Sequence, residues 1–144
     1  MSQQKIVAWL ESNQVTILHR FVEAAQKEEN YPSFAGLKLM DLRAVMKREI
    51  QGLTSYIAGN EMQLEGVTQT HKEQAREITQ SIPTEEQLSL LDERLEIMRE
   101  LFEADLEMER YRSEFQRHMD NASRFYRIST RKIEFDRQLG SLAI

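Results

Sequence analysis

A chain of 144 residues with 40% apolar and 30% charged side chains is long enough to bury a core without metals or disulfides, and residues 1–144 read as a single domain. Five glycines and two prolines are too few to punctuate many short strands, so composition points to an all-α helical bundle. The lack of cysteine excludes disulfides, thiolate nucleophiles and zinc–thiolate sites. With no signal peptide or long apolar run, and a net charge of -5 that disfavours phosphate backbones, the expectation is a cytoplasmic protein binding neither membrane nor nucleic acid.

In chain order, Ser2 reads as the N-cap of a first helix whose apolar positions Ile6, Leu10, Ile17, Phe21 and Ala25 recur at helical spacing, with Trp9, Leu18 and Val22 widening the stripe. Ser12-Asn13 divides it into a short and a longer helix. Pro32, which cannot donate to a helical ladder and restrains Tyr31, marks a loop over Asn30–Ser33. Leu39, Leu42, Met46, Ile50, Leu53 and Ile57 define a further helix that stops at Gly59-Asn60. Glu61 to Ile82, thin in apolar residues, reads as a loosely packed helix or two short ones, interrupted near Gly66.

Thr84 with Gln87 has the form of a capping box, entered through Pro83, with Glu85 and Glu86 in the first turn. No glycine or proline then occurs until Gly140. Leu88, Leu91, Leu95, Met98, Phe102, Met108, Tyr111, Phe115, Met119, Ala122, Tyr126 and Ile133 keep a three-to-four spacing with one phase slip at Asp105. A single helix of more than fifty residues would run about 80 Å, against about 35–40 Å for a compact globule of this size. It must therefore break, with Asp120–Ser123 the expected place, or protrude and self-associate. The latter divides the chain into a bundle, 1–110, and a signalling or dimerisation helix, 111–139.

Charge along this region is polarised. Residues 84–109 hold ten acids against two bases, and residues 110–137 hold eight bases against four acids. The plain interpretation is a solvated face with intrahelical pairs such as Glu114 with His118 and Glu109 with Arg112. The sharper one sets Arg124, Arg127 and Arg131 in a row that meets an acidic partner or an antiparallel neighbour.

Candidate chemistry is sparse. His19, His71 and His118 lie far apart; Glu114 and His118 have ligand spacing, but one such pair on a charged helix is ordinary. There is no Gly-rich phosphate loop, no nucleophile elbow and no Glu-x-x-His of a di-iron bundle. The polar neighbours of His71 resemble solvent rather than a haem pocket. No cofactor, no metal and no enzymatic activity are expected. Phe102, Tyr111, Phe115, Phe125, Tyr126 and Phe135 read as core or helix seam.

The opening run Ile6-Val7-Ala8-Trp9-Leu10-Glu11-Ser12-Asn13-Gln14-Val15-Thr16-Ile17-Leu18 resembles the first helices of the N-terminal sensor domains of RsbR-type stressosome proteins, and Ser129–Leu139 is similar to their linker helix. The resemblance covers about a third of the chain. It implies a globin-like fold without haem, and a homodimeric stress-response sensor whose last helix passes a signal to an output domain or protein partner. Phe115, Met119, Ala122 and Tyr126 are then expected near a parallel dimer seam, with Asp105 and Glu109 as polar positions that make the relay bistable. The alternative is a stand-alone adaptor or inhibitor that docks through its charged long helix.

Overall fold

The computed structural model describes residues 2–59 and 82–142. Among them every regular element is helical, and the fold is all-α. The elements are α1 (Ser2–Ser12), α2 (Gln14–Ala25), the single turn α3 (Pro32–Ala35), α4 (Leu39–Ile57), α5 (Thr84–Ala104), a 3₁₀ turn (Leu106–Tyr111) and α6 (Arg112–Leu142). Expectations that fall on Asn60, Gly66 and His71 lie outside the described residues. None of the helices among the described residues is long and apolar enough to cross a membrane.

The division of the first helix occurs at Asn13. Its side-chain amide donates to the Trp9 carbonyl at 2.8 Å, competing with the backbone for that acceptor. Ser2 is the first residue of α1 rather than a flanking cap. Pro32 stands at the first position of α3, where its missing N–H costs nothing. At the end of α4, Gly59 takes φ +78°, the left-handed conformation that a glycine adopts without strain. There the Gln3 side chain donates to the Ile57 carbonyl and pins the start of α1 to the end of α4.

The capping box is corrected. Thr84 already lies inside α5, Pro83 is the flanking residue, and no side chain caps the start. Gln87 reaches back as a donor, to the Ile82 carbonyl at 2.9 Å. Glu86 serves another helix: its carboxylate accepts from the backbone N–H groups of Ser33 (2.8 Å) and Phe34 (3.1 Å), capping α3 across 53 residues of sequence.

The expected long helix is two helices folded into an antiparallel hairpin. The reversal falls at the phase slip, Asp105, and not at Asp120–Ser123, through which α6 runs unbroken. Asp105 adopts an extended backbone and its Oδ1 accepts the Glu107 N–H at 3.0 Å, so the side chain starts the 3₁₀ turn without any glycine. Arg112 closes the other side by donating to the Glu103 carbonyl, 2.7 Å away, near the end of α5. Buried residues of α5, among them Leu91, Leu95, Met98 and Phe102, then share one core with Phe115, Met119 and Ala122 of α6 and with α1, α2 and α4. Phe102 and Phe115 stack with ring centres 3.9 Å apart, and Trp9 of α1 stands edge-on to both.

Candidate functional site

Three places in the bundle gather polar side chains, some of them singled out from the sequence and some not. The first is the hairpin tip. Asp105 Oδ2 accepts the Trp9 indole N–H at 3.0 Å while Oδ1 holds the 3₁₀ turn, so one carboxylate joins α1 to the reversal between α5 and α6. Glu109 is exposed on the 3₁₀ turn, away from any seam. Trp9 is the residue the sequence reading missed here; its neighbours at helical spacing revealed burial but not that the indole N–H needs an acceptor.

The second is the α5–α6 contact. The acidic arm and the basic arm face each other in antiparallel order: Arg99 meets Gln116 (3.1 Å) and Asp120 (3.4 Å), Arg127 pairs with Asp92, and Arg131 with Glu85 at 3.4 Å. The antiparallel neighbour expected for the basic residues is thus the chain's own α5. Arg124 departs from the row and donates to Asn121 on its own helix at 2.8 Å. These pairs are solvated and each contributes at most about 1 kcal/mol. Apolar burial holds the hairpin, and the short 3₁₀ connection makes it antiparallel. The dimer-seam expectation is corrected with it: Phe115, Met119 and Ala122 are buried in the monomer's core and Tyr126 packs against that core, out of reach of a second copy while the hairpin is closed.

The third is a buried ion pair. Arg94, only 7% exposed, pairs with Glu49 of α4 and approaches Met46 Sδ at 3.8 Å. Tyr126 lines the same void of about 20 Å³, room for one water. Burial pushes the Tyr126 phenol well above its ordinary pKa. Arg94 stands between Leu91 and Met98 on the inward row, and that spacing was the available signal for a buried charge.

Elsewhere, Tyr31 donates to Glu93, and burial together with that bond raises its pKa to about 12. Burial alone would raise Glu93, but the bonds from Tyr31 and Lys27 outweigh it and hold the carboxyl below its ordinary range. A polar cleft of about 300 Å³ between α2 and α5 is spanned by Arg20–Glu100 (3.8 Å) and Lys27–Glu93 (3.0 Å). Its lining sets two bases, Arg20 and Lys27, against four carboxylates, Glu23, Glu93, Glu96 and Glu100, so the cleft stays acidic after those two pairs are counted. His118 lies 3.7 Å from Glu114 with its Nε2 buried and without a hydrogen-bond partner. His19 has the same spacing to Glu23, also 3.7 Å, a pair the sequence reading passed over; both side chains are exposed. Among the described residues no three His, Asp or Glu side chains converge as a metal site requires.

Phe125 stacks on Tyr56 of α4 at 5.8 Å, and beyond it Ile128, Phe135 and Leu139 are exposed at 70%, 58% and 49%. The aromatic stripe therefore divides: Phe102 and Phe115 enter the core, while Phe135 faces outward. Compared with protein-family models, with curated proteins and with solved structures, the chain matches none.

Proposed function

We propose that the chain is a non-enzymatic helical sensor and signal-relay module of the kind found at the N-terminus of RsbR-type stressosome proteins, self-associating through its last helix. The observation that supports this reading is the double placement of α6. It is continuous over Arg112–Leu142, yet buries Phe115, Met119 and Ala122 in the core and exposes Ile128, Phe135 and Leu139. A stiff helix anchored in a bundle carries any shift of its buried half to its exposed half, the mechanical requirement of a relay. Asp105 is the natural control point, because it couples Trp9 to the hairpin reversal. The globin-like arrangement, the stress-response role and a downstream output domain or protein partner belong to the same proposal. The adaptor reading has less behind it, since Arg127 and Arg131 and their acidic partners are already engaged within the chain.

The test is hydrogen exchange on Trp9→Phe, which removes the N–H donated to Asp105 and keeps a ring against Phe102 and Phe115. A relay predicts faster exchange at residues 105–111 and also at 128–140. Acceleration confined to 105–111 would sink it.

A further inference from the structure

Along one flank of α6, Phe125, Ile128, Lys132, Phe135 and Leu139 follow at steps of three, four, three and four. This is the 3.5-residue repeat of a coiled-coil seam, with Phe125, Lys132 and Leu139 at the first (a) positions and Ile128 and Phe135 at the fourth (d). Phe125, at the start of the row, is half-buried against Tyr56 of α4, and beyond it Ile128, Phe135 and Leu139 are the most exposed large apolar side chains of α6.

Two features of the row choose its occupant. Arg131 precedes an a position and Asp136 follows a d position. In a parallel pair these flanks meet five residues apart, so Arg131 of each copy faces Asp136 of the other, giving two attractive contacts by symmetry. An antiparallel pair would instead align the Arg124 and Arg131 column with itself, base against base. Lys132 is the second feature: one lysine at an a position lowers stability but favours two strands in a fixed register. We infer that the outer face of α6, from Phe125 to Leu139, binds a second copy of this chain as a parallel two-stranded coil. The inference rests on the relay reading and gives its self-association a surface, different from the Phe115–Met119–Ala122 row. Arg131 also pairs with Glu85, both side chains being more than half exposed. Association therefore competes with the Arg131–Glu85 pair at the first turn of α5.

Sedimentation equilibrium of the full chain across the micromolar range tests this. The expected result is a reversible dimer, weakened at least tenfold by Phe135→Glu and strengthened by Lys132→Leu. The chain has no cysteine, so Leu139→Cys should cross-link to itself under mild oxidation and Glu134→Cys, on another face, should not. Circular dichroism and tryptophan emission check that each variant retains the bundle. A monomer at every concentration, a dimer indifferent to Phe135→Glu, or cross-linking by Glu134→Cys rather than Leu139→Cys overturns the inference. Failure here leaves the relay standing if Trp9→Phe still quickens exchange at 128–140; a parallel dimer with unchanged exchange there removes the relay alone.

Discussion

The two halves of α6 share a helix, a spacing and a composition, yet have opposite surroundings. Over 112–127 its apolar row faces α5 and α1 and is sealed by Phe102 and Trp9; over 128–140 the apolar residues on the outer row are open. Helical periodicity establishes that a face exists to be covered, but does not say which neighbour covers it. Here the proximal half is satisfied by a reversal of the chain itself, and the distal half exposes a second apolar row on another face of the same helix.

If the proximal half is the rigid anchor, truncating it should be the most damaging change. Phe115→Ala, which removes the ring stacked on Phe102, should cost about 3–5 kcal/mol in denaturant unfolding. An equal loss from Ile128→Ala would erase the distinction, because an exposed position away from special features should change stability by no more than about 0.5 kcal/mol. The buried pair comes next. Glu49→Gln leaves the Arg94 charge without its counterion and should cost about 2–4 kcal/mol, with the lower end favoured because Glu49 still reaches solvent. Replacing both partners together, Arg94→Met with Glu49→Leu, should recover most of that loss.

At the junction, Asp105→Leu should destabilise by about 1–2 kcal/mol, since it removes a cap and orphans the Trp9 N–H. Had Asp105 been the polar seam position expected from the sequence, leucine there would have stabilised instead. The smallest effect concerns pH. Burial depresses His118 below its ordinary value of 6.5, with Glu114 opposing. The unfolded chain therefore takes up that proton first, and its contribution is intact above pH 6.5 and lost as pH falls below it. Unfolding midpoints of His118→Gln should accordingly depend less on pH between neutral and mildly acidic buffer than those of the unaltered chain.

Most elements were readable from spacing and punctuation: the split at Asn13 and the stop at Gly59 follow local rules, whereas the loop expected over Asn30–Ser33 ends at Tyr31, because Pro32 opens α3 instead of preventing it. The reversal was half readable. Asp105 interrupted the stripe, but a turn made without glycine or proline gives no compositional mark, because the Asp105 side chain supplies the acceptor that a glycine turn finds in its own backbone. Opposite charge on the two arms was plain, whereas their mutual pairing needed the reversal to be known first. Glu86 and Trp9 were unreadable for a simpler reason: their partners, Ser33 and Asp105, lie 53 and 96 residues away. The outer row from Phe125 to Leu139 is present in the sequence, but it interleaves with the stripe through Phe115, and only exposure separates the two.

Trp9 also gives the molecule an optical property. It is the chain's one tryptophan, its indole is 6% exposed, and it touches α5, α6 and the Asp105 carboxylate together. Its emission therefore reports one event, the seating of the N-terminal helix against the hairpin. The hairpin itself joins segments close in sequence, whereas the Trp9 contacts close a loop of most of the chain, which favours late formation. In stopped-flow refolding, the blue shift of that emission should lag behind the recovery of helical ellipticity, and Asp105→Leu should widen the interval.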